Sequence, residues 1–382
     1  MKHDRLAAVA GVAESDLGMV APKTALQLQA ESAREALAEA GLTLADVDAV
    51  FSARRDENHA SVQIAEYLGI TPRYSDSTNI GGASFVAHVG HAATAIAAGL
   101  CEVALISYGS TQRSSRSRSL GSSGPVAGPS QFEDVWGLPT PVGAYALAAT
   151  RHMHEFGTTP EQLAEVAVAA RAWAGLNPKA FYRDPISIDD VLGSPLISSP
   201  LHLLDCCLVT DGGGAVVIVS PERAVDLPKP AIWVAGHGES HTHQTIANMP
   251  DLTTTPADHS GPAAMAMAGI THADVDVAEL YDSFTITVLL TLEALGFCAR
   301  GESGSFVEAG RTAPGGDFPL NTNGGGLSYC HPGMYGIFTL IEATRQLRGE
   351  CGARQVEGAR VALCNGIGGV LSSSATVVLA RG

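Results

Sequence analysis

No apolar run in this 382-residue chain is long enough to span a bilayer, and the opening MKHDRLAAVAGVAESD lacks the hydrophobic stretch of a secretory signal. Both absences lead to the expectation of a cytoplasmic protein. Paired CxxC spacing is missing as well. Seven cysteines, Cys101, Cys206, Cys207, Cys298, Cys330, Cys351 and Cys364, are odd in number and scattered, which argues against a zinc site and reads mostly as buried thiols. Basic charge is scarce: a formal charge of -16 argues against a general nucleic-acid surface, so an anionic ligand would need a local basic site. The triple glycine at 212–214 has no phosphate-loop lysine nearby and reads as a tight turn for close packing. His152 and His154 stand two apart on an expected helix, hence on different faces, which disfavours a metal site there. What the chain does have is core: at 46% hydrophobic it can bury two or three domains, or one large duplicated unit.

Duplication is visible in the letters. AAVAGVAESD at 7–16 and IWVAGHGESH at 232–241 share Val9/Val234, Ala10/Ala235, Gly11/Gly236, Glu14/Glu239 and Ser15/Ser240. AGLTLADVD at 40–48 matches AGITHADVD at 268–276 at nearly the same offset, 228 against 225. The halves therefore begin near residues 6 and 230. Each reads as strand, helix, strand, glycine-rich turn, helix, strand, and such alternation implies sheets covered by helices in two similar layers. In the first half the turn is GGAS at 81–84; in the second it is GGGLSYCHPG at 324–333. We divide the chain into an N-terminal half, 1–112 plus 205–222, an inserted loop domain, 113–204, and a C-terminal half, 223–382. The insertion opens on a Ser, Gly and Arg-rich stretch, and its Arg113, Arg116 and Arg118, with Lys179, are candidates for holding phosphates.

Several stretches together resemble the thiolase superfamily, in its non-specific lipid-transfer-protein or sterol-carrier-protein-x branch. They are QFEDVWGLPTPVGAYALAATRHMHEFGTT, NPKAFYRDP, LHLLDCCLVTDGGGAVVIVS, ELYDSF, NTNGGGLSYCHPG and CNGIGG, and they cover nearly the whole chain. The resemblance implies an α/β fold of two βαβαβαββ halves layered α-β-α-β-α, which is the duplication found independently above. It also implies four catalytic loops. The first should present a nucleophilic cysteine at a helix start, where the helix dipole lowers a thiol pKa. Counting back from Gly99 puts that position at Gly82, and NIGGASFVAH holds no cysteine; Ser84 lies two residues on. The second loop is Tyr281-Asp282-Ser283-Phe284, with tyrosine where the family has Asn or His. The third is Cys330-His331-Pro332, and the fourth, Cys364-Asn365-Gly366-Ile367-Gly368, is intact.

Without the nucleophile, an imidazole and turn amides still suit the enolate of a thioester. The resemblance points to retro-aldol cleavage of a β-hydroxyacyl-CoA with a sterol or bile-acid type acyl group, giving a ketone and a short acyl-CoA. Tyr281 would deprotonate the hydroxyl once a nearby positive charge or donor lowers its pKa from about 10. His331 would stabilise the enolate oxygen or share the base role, and Cys364 would move a proton at carbon. Cys330, Ser84 and Asp282 are secondary candidates, and Gly82, Gly366 and Gly368 line the substrate. Two alternatives stay open: a Claisen-type acyltransferase using Cys330 or Ser84, and a non-catalytic acyl-CoA or lipid-binding subunit. No metal and no cofactor beyond coenzyme A in the substrate is expected. A homodimer paired through the first half's edge strand, and a small OB-fold zinc-ribbon partner protein, follow from the family.

Overall fold

The computed structural model describes residues 6–54, 57–117 and 131–382, so Arg118 falls outside the described residues. The first half runs β1 (Ala7–Glu14), α1 (Ala25–Glu39), β2 (Ala49–Phe51), α2 (Ala60–Leu68), β3 (Tyr74–Asp76), α3 (Ser84–Ala97) and β4 (Val103–Ser110). Helices α4 (Gln131–Asp134), α5 (Val142–Phe156), α6 (Pro160–Leu176) and α7 (Ile188–Gly193) follow, then a short hairpin of β5 (Leu196–Ser198) and β6 (Leu201–His202), then β7 (Gly212–Val219). The second half runs β8 (Ile232–His241), α8 (Ala257–Ala268), β9 (Val277–Leu280), α9 (Thr285–Leu295), α10 (Ser303–Val307), α11 (Gly336–Arg348), β10 (Val361–Gly368) and β11 (Ser373–Arg381). Among the described residues, no helix is long and apolar enough to cross a membrane.

Hydrogen bonds run through one sheet in the order β3-β2-β4-β7-β1-β8-β11-β10-β9. Its seam is the antiparallel pairing of β1 with β8, Ala7 opposite Val234 and Val9 opposite Ile232. Helices α3 and α11 pack on strands from both sides of that seam, while α1 covers β1, β4 and β7 and α8 covers β8 and β11. The layering is α-β-α-β-α, the fold the thiolase resemblance implied. The first half follows βαβαβαββ throughout. In the second, the third strand shrinks to a single bridge between Leu320 and Ala278. Pro319 has no amide to give a ladder, and Asn321 at φ 52° turns the chain out of it.

The repeated residues have physical reasons. A Cβ on Gly11 would overlap the Ala36 carbonyl of α1, and one on Gly236 would overlap the Ala264 carbonyl of α8, so each outer helix lies directly on its strand. Gly41 and Gly269, at φ 69° and 65°, end those helices. Asp48 then accepts from the amides of Glu102 and Val103 where β4 starts, and Asp276 from those of Arg360 and Val361 where β10 starts. The triple glycine is a correction: Gly212–Gly214 open strand β7, opposite Ser110, Gly109 and Tyr108. A Cβ at Gly213 would sit 3.1 Å from the Leu28 carbonyl oxygen, so close packing is the reason for glycine there, but the backbone is extended.

Candidate active site

Strand β9 delivers the residues that matter. Tyr281 continues its ladder, donating its amide to the Asn365 carbonyl of β10 at 3.0 Å, and Asp282 follows, fully buried. The glycine-rich segment Gly325–Tyr329 forms one wide π-helical turn, entered through Gly324 and Gly325 at φ 103° and 63°. Asp282 holds this turn: Oδ1 accepts from the Gly326 amide at 2.6 Å and Oδ2 from the Leu327 amide at 3.2 Å. A Cβ on Gly325 would overlap Oδ2, which explains the glycine. Burial pushes the Asp282 carboxyl up to about 7, against the pull of those two amides.

His331 follows the turn and is clamped by its backbone. Its amide donates to Thr210 Oγ1 at 3.0 Å, and its carbonyl accepts from the Thr210 amide at 3.2 Å. Tyr335 stacks parallel on the imidazole at 6.3 Å, with its hydroxyl donating to Asn323 Oδ1 at 2.8 Å. Tyr281 meets the same ring edge-on, placing Tyr281 Oη 2.9 Å from His331 Nε2. Burial pushes the Tyr281 phenol well above its ordinary range, and the Tyr335 amide opposes this only in part. The lowered phenol expected for Tyr281 is a correction: burial holds it up, and Tyr281 Oη and His331 Nε2 stand as one hydrogen-bonded pair.

Gly82 bears on that pair from the other half. A Cβ there would overlap the Tyr281 ring and come 2.7 Å from the Ile367 carbonyl oxygen. The phenol ring thus occupies the room that a side chain at residue 82 would take. Gly366 and Gly368 act in the same seam: a Cβ on the first would be 2.8 Å from Ala83 Cα, and one on the second would overlap the Ile80 carbonyl oxygen. Backbone lies on backbone there, and their lack of Cβ atoms serves that packing.

The remaining candidates are engaged elsewhere. The buried Ser84 hydroxyl donates to the Gly81 carbonyl at 2.7 Å and accepts from the Ile80 amide at 2.9 Å, so it caps its own turn. Cys330 is fully buried, and burial with the nearby Glu14 and Asp282 pushes its thiol up, away from thiolate. Cys364 lies 3.6 Å from the Thr339 carbonyl of α11, also pushed up by burial and by Glu279. Arg113 donates to the Val209 carbonyl at 3.0 Å and lies over the Phe181 ring. Lys179 pairs with Glu14 at 2.8 Å. Arg116 is exposed, at φ 51°. The turn amides expected to face an enolate are occupied as well, since Asp282 takes those of Gly326 and Leu327. Thr210, Asn323 and Tyr335 as supports of the imidazole were not singled out from sequence; the only hint was NTN ahead of the glycines and an aromatic five residues after Cys330.

Fold and site together define a class: a thiolase-fold protein with a buried Tyr–His pair where acyl-enzyme chemistry would otherwise start. Residues 238–381 match the thiolase C-terminal domain-like family model. The chain is 38% identical to the steroid side-chain-cleaving aldolase of Thermomonospora curvata, over 90% of each chain. It is 37% identical to the 17-hydroxy-3-oxo-4-pregnene-20-carboxyl-CoA lyase of Mycobacterium tuberculosis, over 90% of this chain and 92% of that one. The Ltp2-ChsH2(DUF35) aldolase superposes with a TM-score of 0.89 at 34% identity, over 98% of this chain and 97% of that one. The chain belongs to the thiolase superfamily, in the group that holds these carbon–carbon lyases.

Proposed function

We propose that this protein is an acyl-CoA aldolase that cleaves the bond between the α and β carbons of a β-hydroxyacyl-CoA carrying a steroid-type acyl group. The observation that carries this reading is the 2.9 Å contact of Tyr281 Oη with His331 Nε2 against a residue 82 that has no side chain. Tyr281 takes the proton of the β-hydroxyl while passing its own to His331 Nε2. The hydroxyl oxygen becomes the ketone, the carbon–carbon bond breaks, and its electron pair leaves as the thioester enolate. The protonated imidazole then offsets the enolate charge and returns the proton to the α carbon. The products are a ketone and a shorter acyl-CoA, and both side chains end as they began. These steps use only the chain's own groups and the substrate's thioester.

Acyl transfer would need a nucleophile, and the two candidates are a hydroxyl spent in a turn and a thiol held neutral by burial. The reading includes a small OB-fold, zinc-ribbon partner protein, and it is supported by the likeness to a solved aldolase whose name, Ltp2-ChsH2(DUF35), pairs a chain of this fold with a DUF35 protein. It also includes a homodimer formed along β3, the edge of the sheet. The test is to incubate the chain, with and without such a partner, with β-hydroxyacyl-CoAs, measuring products and intact protein mass. A ketone and a shorter acyl-CoA with unmodified protein are expected; a stable acyl adduct would overturn the reading. Tyr281→Phe is expected to keep its melting temperature and lose at least about 100-fold in kcat.

A further inference from the structure

Asp282 reaches the turn that carries His331 from the same strand end as Tyr281. Its two oxygens are the acceptors for Gly326 and Leu327, and the Gly326 α carbon lies between it and the imidazole: a Cβ there would be 3.1 Å from Asp282 Oδ1 and 3.1 Å from His331 Cδ2. The dipeptide Tyr281-Asp282 therefore grips the turn twice, once at the ring that does the chemistry and once at the amides that set where that ring stands. We propose that Asp282 is a positioning residue whose carboxylate form holds the turn and keeps His331 in register with Tyr281. This rests on the aldolase reading of the site.

The geometry gives the inference its pH dependence. A carboxylate can accept at both oxygens, whereas a protonated carboxyl turns one of them into a donor facing an amide N–H. With the group poised at about 7, the clamp is complete above that pH and released below it. The other titratable groups around Asp282 are Glu279 on β9, Cys330 and His331 on the turn, Tyr281 beside it and Tyr335 at the start of α11. Burial pushes Glu279 well above the ordinary carboxylate range too, with Glu342 adding to it, which makes Glu279 the rival source of an acid limb. The sign for stability runs opposite to that for activity. A carboxyl raised in the fold destabilises the folded state increasingly as pH climbs from its unfolded value toward 7, so the ionised form that the turn needs is the one the fold resists.

The experiment compares wild type, Asp282→Asn and Glu279→Gln as full chains with their partner, measuring kcat and KM for a β-hydroxyacyl-CoA from about pH 5.5 to 9.5. In the same proteins without substrate, the amide signals of Gly326 and Leu327 are followed across that range by NMR. Wild-type kcat is expected to fall below about pH 7, with both amide signals moving at the same midpoint. Asp282→Asn is expected to lose up to about 100-fold in kcat above pH 7, to show no acid limb and no amide midpoint, and to keep KM. An acid limb or an amide midpoint that survives Asp282→Asn overturns the proposal, as does a limb abolished only by Glu279→Gln. If wild type yields no ketone while the amide midpoint is present and lost in Asp282→Asn, the aldolase reading fails and the clamp stands.

Discussion

The two glycine-rich turns occupy equivalent places in the two halves, each leading into a central helix, yet they do opposite things. The first, Ile80–Ser84 ahead of α3, is short and turned inward: its serine caps its own backbone and its Gly82 contributes only space. The second, Gly324–Tyr335 ahead of α11, is long and is held from outside. Two other parts of the chain supply the hold: from the insertion, Arg171 Nε donates to Ser328 Oγ and the Phe181 and Tyr182 amides donate to the Tyr329 and Ser328 carbonyls; from the stretch ahead of β7, the Leu208 amide donates to the Gly326 carbonyl and Thr210 clamps His331. The two turns of one repeat thus differ in what holds them, and the Tyr281–His331 contact is made at the second. At the first, the room a side chain on residue 82 would take is filled by a tyrosine from the second half.

Restoring that side chain is the most severe way to break the contrast. Gly82→Cys would drive Cβ into the Tyr281 ring, and we expect a loss of at least about 100-fold in cleavage, with about 1–3 kcal/mol of stability lost to overpacking. Intact mass should show no acyl adduct, because the Tyr281–His331 pair would be displaced before any thiol could work; an adduct would mean that the first turn still keeps its acyl-transfer geometry. A smaller effect separates the two repeated glutamates. Glu14 is buried and pairs with Arg345 of α11 and with Lys179; burial raises its carboxyl, but these cations outweigh it and hold it down to about 2. Glu239 reaches the other way, to His91 of α3; it also meets His241, while His91 is shared with Asp76. Glu14→Gln should cost about 3 kcal/mol in denaturant unfolding, and Glu239→Gln about 1.

The same pair differs in pH. Glu14, lowered in the fold, contributes stability above about pH 4.5 that is lost as pH falls toward 2. His91, which Asp76 and Glu239 raise to about 9, contributes below about pH 6.5 and loses it as pH rises through 9. Melting curves that lose stability at only one of these ends would show that one glutamate alone joins the halves. The smallest effect is at Ser84: Ser84→Ala should cost about 1 kcal/mol and leave kcat within about twofold, since its hydroxyl only closes its own turn. A larger loss of rate would give the first turn a chemical part that its geometry does not suggest.

Much of this was legible in the letters, for reasons now visible. Gly11 and Gly236 repeat because each must admit a helix backbone, and Glu14 and Glu239 repeat because each crosses to the other half's central helix. Tyr281 and His331 could be paired from the loops that carry them. The direction of the tyrosine's pKa could not, because it follows from burial, and burial at residue 281 depends on what residue 82 lacks. The extended run at Gly212–Gly214 read as a turn because glycine alone cannot tell a bend from a strand pressed against a helix. Asp282 and Thr210 were silent in their roles, since each acts on a turn far away in sequence, and Asn323 was silent because its partners, Gly325 and Tyr335, are set by the shape of the turn.

Glu14 also sets an order of events. It belongs to the first strand, but its main partner, Arg345, lies 331 residues later, and Lys179 comes only with the inserted region. A chain emerging from its N terminus therefore carries a carboxylate whose burial cannot be balanced until nearly the last helix has been made. The strand that begins the protein is completed electrostatically by the helix that follows the second glycine-rich turn. The ion pair that ties the first strand to α11 thus joins the two ends of the chain, with His331 and Tyr281 lying between them in sequence.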